Sequence, residues 1–219
     1  MTDVAAFDFD GTISKRDTLV PFLAKTAGVS RFVAACSRLG LAGTRRSTSP
    51  GDRDRMKEHM IELLLGGRPE EEMRDRGERY ARDLLTGDRL RTEMLTRVRE
   101  HRRAGHRTVI VSASLVHYLD PIARLLDIDD VIGVEPEVID GRLTGRLVRP
   151  NVRAGQKAVR LREWLDAPAE GPLGVRLHSY GNSSGDHELL AMADEAWWLG
   201  RPTKVPAGAR VFTLGAPLG

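Results

Sequence analysis

A short apolar run close to the N-terminus ends in two aspartates, and this feature constrains the chain most. The run reads Val4-Ala5-Ala6-Phe7-Asp8-Phe9-Asp10-Gly11-Thr12. An apolar run of this length, closed by a glycine turn, predicts a buried strand. Side chains two residues apart project from the same face of a strand, so Asp8 and Asp10 would lie together beyond its end. Two carboxylates that close repel each other, and either a bound cation or a raised pKa relieves the repulsion.

Composition indicates an ordinary globular chain with room for one core and a smaller appendage. The chain has 219 residues, of which 41% are hydrophobic and 30% charged, and its net charge is +3. The segment 16–87 holds 14 Lys or Arg against 11 Asp or Glu, and this excess favours an anionic ligand. Basic and acidic residues alternate there and aromatic residues are scarce, so we expect no nucleic-acid binding.

Cysteine usage and hydropathy indicate the cellular setting. Cys36 is the single cysteine of the chain, so no internal disulfide forms, and its apolar helical surroundings predict a buried, inert thiol. No signal peptide precedes the first strand, and no apolar run approaches the length of a membrane span. We therefore expect a cytoplasmic protein without a membrane partner.

Helical periodicity dominates the segment that follows the first strand. Apolar spacing predicts helices over 18–27, 30–41, 55–65 and 70–85, with a polar connection over 42–54. No strand pattern interrupts this block. The sequence therefore predicts a helical cap domain over 16–87, inserted into a core made of 1–15 and 88–219.

Strands and helices alternate through the remainder of the chain. Predicted helices lie over 89–103, 116–126, 154–165 and 186–192, and predicted strands over 108–112, 131–134, 175–180, 197–199 and 211–212. Val138 to Gly145 reads as a hairpin with Asp-Gly at its turn. This alternation predicts an α/β fold with a doubly wound parallel sheet, in which ligands bind at the carboxyl ends of the strands.

Four motifs at these predicted strand ends and nearby helix starts resemble a known family. In chain order they are Asp8-Phe9-Asp10-Gly11-Thr12, Val109-Ile110-Val111-Ser112-Ala113-Ser114, Lys157 and Gly181-Asn182-Ser183-Ser184-Gly185-Asp186. Their order and spacing resemble the haloacid dehalogenase (HAD) superfamily, in particular the phosphoserine phosphatase-like subfamily IB with a helical C1 cap. The resemblance spans nearly the whole chain and implies a HAD Rossmann-like core.

The resemblance implies a Mg²⁺-dependent phosphomonoester hydrolase. In such an enzyme Asp8 is the nucleophile that becomes an aspartyl-phosphate, Asp10 the general acid and base, and Lys157 the positive charge beside them. The implied phosphate-binding residues are Ser112, Ala113, Gly11 and Thr12. The implied Mg²⁺ ligands are Asp8, Asp10 through its main-chain carbonyl, Asn182 and Asp186.

Asn182 departs from the family pattern, which usually has aspartate at this position. An amide oxygen still binds a hard cation but brings no charge, so we expect weaker magnesium binding. The alternative is a non-catalytic relative that binds a phosphorylated ligand. An oligomerising structural module is a third possibility, supported only by the charged helices.

Simpler interpretations compete for several of these residues. Ser112 and Ser114 are residue types that cap helices, and Arg153 and Arg160 lie close enough to Lys157 to replace it. Gly181 to Gly185 also fits the G-x-S-x-G pattern of serine esterases. That fold needs an acid and then a histidine after the serine. Here the only later histidine is His187, with no acid between the serine and it except Asp186, and so local a set cannot form the charge relay, so we reject it.

The remaining features concern substrate and partners. Asp17 matches an acidic residue that, in phosphoserine phosphatases, recognises the substrate amine, although it equally suits a helix cap before Thr18. Arg55 and Lys57 are candidate cap contacts to a substrate anion. The histidines show no metal-ligand spacing and are expected at the surface or in caps, and Trp197-Trp198 is expected in the core. The partner is a small phosphorylated metabolite; its identity and the oligomeric state stay open.

Overall fold

One six-stranded parallel sheet forms the centre of the molecule. The computed structural model describes residues 2–39, 50–167, 174–216 and 218. The strands lie in the order β3-β2-β1-β6-β7-β8. They are β1 (Thr2–Phe7), β2 (Arg107–Leu115), β3 (Asp130–Val134), β6 (Val175–Gly181), β7 (Glu195–Trp198) and β8 (Ala209–Val211). Helices supply the crossovers that parallel strands need, which confirms the predicted α/β fold.

Strand β1 occupies the middle of the sheet and is buried on both faces. Val4 to Phe7 have almost no solvent exposure, as expected for a central strand of a parallel sheet. Phe7 pairs with Ile110 of β2 on one side and with Tyr180 of β6 on the other. The Asp8 N–H continues this pairing by donating to the Tyr180 carbonyl at 2.9 Å. The apolar run thus delivers Asp8 to the centre of the sheet's carboxyl edge.

Four helices lie in the described part of the segment 16–87, as the periodicity predicted. They are α1 (Leu19–Ala27), α2 (Val29–Arg38), α3 (Pro50–Leu65) and α4 (Glu70–Thr86). The later helices are α5 (Thr92–Arg103), α6 (Val116–Leu126), α7 (Gly155–Asp166) and the short α8 (His187–Ala191). The structure bears out the helical character of 16–87 in its described part, whereas its assignment as a separate cap domain stays a prediction.

Two helix starts differ from the predicted ones. Helix α3 begins at Pro50 rather than Arg55, because proline suits the first turn of a helix, where no N–H donor is needed. Part of the predicted connection, 42–49, lies outside the described residues. Helix α5 begins at Thr92 rather than Arg89, because Arg89 and Arg91 pair in extended conformation with the turn after β1. The Lys15 N–H donates to the Arg89 carbonyl, and the Arg91 N–H to the Ile13 carbonyl, both at 2.8 Å.

Helix α4 packs closely on α6, which is the helix that follows β2. The contact is made possible by Gly77, where an added methyl carbon would lie 1.9 Å from the His117 carbonyl oxygen. Beside it, the Tyr80 and Tyr118 rings meet edge to face with 5.4 Å between centroids. The helical block is therefore fixed against the sheet layer through one glycine and one aromatic pair.

A β-hairpin forms a second contact between the helical block and the rest of the chain. Strands β4 (Pro136–Ile139) and β5 (Arg142–Leu147) pair antiparallel around Asp140-Gly141, whose positive φ angles of 50° and 70° suit a two-residue turn. The Leu143 N–H donates to the Arg68 carbonyl at 2.9 Å, and the Gly67 N–H donates to the Leu143 carbonyl at 2.8 Å. The hairpin thus pairs with the turn between α3 and α4.

The predictions for the single cysteine and for the histidines were partly wrong. Cys36 is only partly buried, because α2 turns much of its surface to solvent. His101 and His178 are fully buried rather than at the surface. The His101 ring packs edge to face against Phe7 and Tyr180, so the apolar side of the imidazole fills core volume. Trp197 and Trp198 are buried in β7, as predicted.

Among the residues that the structure describes, none of the individual helices has both the length and the apolar character to cross a bilayer. Helices α1 and α2 reach that length and composition only as a pair, and the chain bends by 117° between them.

The α4–α6 contact predicts a large effect of a small substitution. We expect Gly77→Ala to lower the free energy of unfolding by about 1–3 kcal/mol, because the methyl group forces the helices apart. Thermal unfolding followed by circular dichroism measures the effect. Gly155→Ala is the matched control, since Gly155 is also helical, nothing lies near its added methyl carbon, and alanine favours the helix. A Gly77→Ala protein as stable as wild type would contradict the close packing.

Candidate active site

Three neighbouring strands end at one crevice on the carboxyl edge of the sheet. The chain leaves β1 for β2 on one side and later enters β6 on the other, so the connections diverge at β1. Ligand sites of open α/β sheets lie at such a divergence. Asp8 follows β1, Ser112 lies near the end of β2, and Asn182 follows β6. The structure thus brings three of the four predicted motifs to one edge.

A buried lysine joins the first and last motifs. Lys157 Nζ donates to Asp8 Oδ1 at 2.5 Å and to Asp186 Oδ1 at 2.6 Å. All three side chains are at most 7% exposed. The second oxygen of Asp8 accepts from Thr12 Oγ1 at 2.9 Å. The carboxylate pair that shares one cation is therefore Asp8 with Asp186, whereas the sequence pointed to Asp8 with Asp10.

The electrostatics of this triad are unequal. Burial, and then the nearby charge of Asp186, raise the pKa of Asp8 from its usual 3.8 to about 7, although Lys157 opposes them. Burial also acts to raise the pKa of Asp186, but Lys157 and the Ser183 hydrogen bonds outweigh it and hold that pKa below its usual value. Burial acts to lower the pKa of Lys157, but the two carboxylates outweigh burial and raise that pKa above its usual value. Asp8 is thus the member of the triad that is costly to ionise.

The loop before α7 places Lys157 in the crevice. Ala154 has a φ of 52°, a conformation that costs a non-glycine residue ~1–3 kcal/mol. Its N–H donates to the Gly185 carbonyl at 3.0 Å, and its carbonyl accepts from the Lys157 N–H at 2.9 Å. The rival Arg160 donates to the Pro150 carbonyl, and the rival Arg153 packs beside Gly185. The structure therefore brings Lys157, and neither arginine, to Asp8.

The turn after β6 is organised around Asp186. Asp186 Oδ2 accepts from the Asn182 N–H at 3.1 Å and from both the N–H and the Oγ of Ser183 at 2.9 Å. Ser183 Oγ also accepts from the Gly185 N–H. Ser183 is therefore a turn-capping residue without a histidine partner among the described residues, as expected from the rejection of the esterase hypothesis.

Asn182 lies against the turn after β1. A methyl carbon added at Gly11 would lie 1.9 Å from Asn182 Nδ2, so only glycine allows the approach. Gly11 has a φ of 83°, which also favours glycine. Asn182 Oδ1 is buried and accepts no hydrogen bond from the described residues. An unpaired buried acceptor costs free energy, so this oxygen is suited to an external partner.

Asp10 is held by donors from two different parts of the chain. Its Oδ1 accepts from the N–H of Thr18 at 2.8 Å and from Thr18 Oγ1 at 2.6 Å. Its Oδ2 accepts from Ser114 Oγ at 2.5 Å. Thr18 Oγ1 also lies 3.0 Å from the Tyr118 hydroxyl. Thr18, Ser114 and Tyr118 were not predicted as site residues, although Ser114 shares a strand face with Ser112.

The predicted phosphate-binding residues Ser112 and Ala113 lie where the pairing of β2 with β3 is irregular, rather than at the end of β2. Val111 pairs with Ile132 and Leu115 with Val134, so 112–114 lie opposite Gly133 alone. Helix α6 begins at Val116, as predicted, so Ser112 lies four residues before the helix and does not cap it. A bulge re-aims side chains near many active sites. Ser112 Oγ is buried and without a hydrogen-bond partner among the described residues, whereas Ala113 is half-buried.

The predicted substrate-selecting residues have different surroundings. Asp17 is exposed, and its Oδ2 accepts from the Val20 N–H at 3.0 Å, which is the helix-capping arrangement. Asp17 also lines a cavity of about 430 Å³ together with Lys15, Arg16, Thr18, Pro21, Leu84, Asp88 and Arg89. The side chains of Arg55 and Lys57 lie outside the described residues. Arg91, which the sequence did not single out, donates to the Gly11 carbonyl at 3.2 Å.

The donors at the crevice fit a hard divalent cation such as Mg²⁺. Such ions take oxygen ligands and retain several waters. The unpaired Oδ1 of Asn182 is a neutral oxygen donor, and the carboxylate of Asp8 is an anionic one whose ionised form a cation would stabilise. Both oxygens of Asp186 already accept hydrogen bonds from Lys157 and the Ser183 turn, so Asp186 is engaged in positioning these groups.

Comparisons with known proteins identify the family of the chain. The family model of the haloacid dehalogenase-like hydrolases matches residues 5–191. The chain belongs to this family. The chain is also similar to Protein CicA of Caulobacter vibrioides, which is 34% identical over 194 residues, covering 88% of this chain and 83% of that protein.

The chain is also similar to a named phosphatase and to a solved structure. Phosphoserine phosphatase SerB2 of Mycobacterium tuberculosis is 30% identical over 190 residues, covering 85% of this chain and 41% of that protein. A crystal structure of a protein of unknown function from Bordetella pertussis Tohama I covers 93% of this chain and 92% of its own, with a TM-score of 0.76 at 22% identity. The chain is therefore a HAD hydrolase with phosphoserine phosphatase-like relatives, as its motifs indicated.

The raised pKa of Asp8 predicts how stability depends on pH. The unfolded chain ionises Asp8 near pH 3.8 and the folded chain only near pH 7, so the cost of folding with a charged Asp8 grows across this window and is complete above it. Asp8→Asn removes that cost and leaves the Lys157–Asp186 pair. We expect it to raise the free energy of unfolding by about 1–3 kcal/mol at pH 8, and by less at pH 5.

Denaturant titration at both pH values, with a metal chelator present, measures this effect. Asp140→Asn is the control, because Asp140 is exposed and its turn conformation accepts asparagine. A destabilised Asp8→Asn protein at pH 8 would show that the ionised carboxylate is a net stabilising group.

Proposed function

We propose that this protein is a Mg²⁺-dependent phosphomonoester hydrolase that acts on a small phosphorylated metabolite through an aspartyl-phosphate. The observation that carries the proposal is the buried Lys157 between Asp8 and Asp186, together with the buried, unpaired Oγ of Ser112 near the end of the neighbouring strand. Phosphate esters repel anionic nucleophiles, so a site for their hydrolysis combines a carboxylate with positive charge and phosphate donors. Membership of the HAD hydrolases supports the same chemistry.

Asp8 is the proposed nucleophile. A carboxylate oxygen of Asp8 attacks phosphorus, the bond from phosphorus to the ester oxygen breaks, and the electron pair leaves with that oxygen. Attack needs the ionised carboxylate, which Lys157 favours and burial disfavours. Bound Mg²⁺, held by Asp8, Asn182 and the Asp10 carbonyl, would add positive charge that favours ionised Asp8 and the phosphoryl oxygens.

Asp10 is the proposed general acid and base. It gives a proton to the departing ester oxygen and later takes one from the water that cleaves the aspartyl-phosphate. Thr18 Oγ1 lies within reach of both Asp10 and the Tyr118 hydroxyl, so it can turn to Tyr118 when Asp10 carries the proton. The hydroxyl network thus accommodates both protonation states of Asp10.

Ser112 and Lys157 are the proposed phosphoryl-binding side chains. The free Oγ of Ser112 donates to a phosphoryl oxygen, and the backbone N–H groups of Thr12 and Ala113 are the proposed further donors. The N–H of Gly11, the third predicted donor, already donates to Ser14 Oγ at 3.2 Å. The buried ammonium of Lys157 is already oriented by two carboxylates, so little reorganisation accompanies the charge shift during transfer.

The helical block 16–87 is the proposed cap. Thr18 belongs to this block and donates to Asp10. Thr18 also lines the 430 Å³ cavity, which has room for a small metabolite. Asp17 on its rim is a candidate contact for a substrate amine, and Lys15, Arg16 and Arg89 are candidate contacts for a second anionic group. An amine-bearing phosphomonoester, phosphoserine-like in its chemistry, suits this lining best.

Hydrolysis of an aryl phosphate tests the proposal directly. We expect metal-dependent phosphate release from p-nitrophenyl phosphate, and a loss of about 10³-fold or more in kcat for Asp8→Asn, which lacks the nucleophile. Asp140→Asn is the control for a change of the same residue type at an exposed position. Full activity of Asp8→Asn, in a protein shown to be folded by circular dichroism, would end the proposal.

A second candidate function is a non-catalytic binder of phosphorylated ligands, and the uncharged Asn182 favours it. A magnesium titration of Asn182→Ala, wild type and Asn182→Asp separates the two functions. For the hydrolase we expect the half-saturating Mg²⁺ concentration to fall along this series, by about tenfold from wild type to Asn182→Asp, because a carboxylate adds charge to the site. If all three proteins bind a phosphorylated metabolite and none of them hydrolyses it, the protein is instead a binder.

A further inference from the structure

A second cluster of metal-ligating side chains lies at the opposite end of β1 from Asp8. It consists of Asp3 on β1, His106 just before β2 and His178 on β6, with one ligand atom of each lying within 4.8 Å of the others. Asp3 precedes Asp8 by five residues, which is about 16 Å along a strand. This cluster is therefore separate from the proposed active site, and the hydrolase chemistry does not use it.

The distances in the cluster resemble those around a bound metal ion. Asp3 Oδ2 lies 3.2 Å from His178 Nε2 and 3.7 Å from His106 Nε2. Ligand atoms at about 2.0–2.1 Å from a tetrahedral ion are about 3.3 Å from one another. The Asp3 carboxylate is thus already placed between two imidazole nitrogens at nearly the required spacing.

The buried ring of His178 presents its Nε2 to Asp3. The side chain has no solvent exposure, and Nε2 lies 3.2 Å from Asp3 Oδ2. The other ring nitrogen, Nδ1, has no hydrogen-bond partner among the described residues, and a metal ion at Nε2 would not change that. In the tautomer that carries the proton on Nδ1, Nε2 turns its lone pair toward the Asp3 carboxylate, and a cation between the two atoms would stabilise this arrangement.

A hydrogen-bonded relay stands behind His106. His106 Nδ1 lies 2.9 Å from His101 Nδ1, and His101 Nε2 lies 2.8 Å from the Tyr180 hydroxyl. If His106 Nδ1 donates to His101, then His101 Nε2 donates to Tyr180, and His106 Nε2 keeps its lone pair toward Asp3. Metal-binding histidines usually donate their second ring N–H in this way, which fixes the tautomer and the ring.

The cluster is also accessible. The side chains of Asp3 and His106 are 23% and 14% exposed, so an ion can enter and a water can complete its coordination. Two imidazoles and one carboxylate favour divalent transition metals over Mg²⁺, which prefers oxygen ligands.

We propose that Asp3, His106 and His178 form a binding site for a divalent transition metal of the Zn²⁺ class. The site joins β1, β6 and the start of β2 at the amino edge of the sheet. Through His101 it contacts Tyr180, whose ring stacks on Phe7 with 4.7 Å between centroids. The metal fixes β1 and β6 to each other at their amino ends, and Asp8 and Asn182 follow the carboxyl ends of the same two strands. Its role is structural.

Zinc binding to the full chain tests this proposal. Competition with a chromogenic zinc chelator, in millimolar Mg²⁺ to occupy the crevice, gives the number of tight sites. We expect one equivalent in wild type and Asp8→Asn, and none in Asp3→Asn and His106→Asn. His59→Asn is the matched control, because His59 is an exposed histidine, and it should retain the full equivalent. Zn²⁺ should also raise the Tm of wild type by about 5 °C and leave that of His106→Asn unchanged.

Two results would overturn the proposal. One is the lack of tight zinc binding in wild type. The other is an undiminished equivalent in Asp3→Asn and His106→Asn, both shown to be folded by circular dichroism. Loss of the equivalent in Asp8→Asn alone would assign the zinc to the crevice and also overturn it. None of these results bears on phosphate release, so the proposed hydrolase function is tested independently.

Discussion

The buried contact of Lys157 with Asp8 and Asp186 is the interaction on which the arrangement of the crevice depends. Three charges are removed from water at this point, and the site is tolerable only because each charge has a partner. The partners come from β1, from the start of α7 and from the turn after β6, so the contact fixes three remote segments relative to one another. When Asp8 is ionised, the three groups carry a net charge of −1, which a bound cation would neutralise.

The strained loop before α7 and the close approach at Gly11 bring two side chains to this crevice. Lys157 reaches the crevice because Ala154 adopts a positive φ and bonds to the Gly185 carbonyl. Asn182 reaches it because Gly11 offers no side chain in its path. Local strain of this kind persists where surrounding contacts over-determine the backbone, as is common at functional sites.

Much of the fold was predictable from local patterns, because they coincide with the tertiary result. The apolar run before Asp8 became a central strand, the Asp140-Gly141 turn a hairpin, and the periodic block after residue 16 a set of helices. The partners of Asp10 were not predictable, because Thr18 and Ser114 meet it only through long-range packing. The bulge at 112–114 has no sequence signal apart from Gly133 opposite it. The burial of His101 and His178 was missed because an isolated histidine carries no periodicity of its own.

Thr18 links parts of the molecule that the sequence keeps separate. Its main chain and hydroxyl hold Asp10, and its carbonyl accepts from the Tyr80 hydroxyl on α4 at 2.9 Å. Any rearrangement of α4 would therefore move Thr18, which orients Asp10, the proposed proton-transfer group. In the proposed mechanism, substrate selectivity and turnover are thus coupled through Thr18. Adaptation to a new metabolite without loss of rate would be easier at cavity residues that take no part in the Thr18–Tyr80 hydrogen bond, such as Lys15 and Asp88.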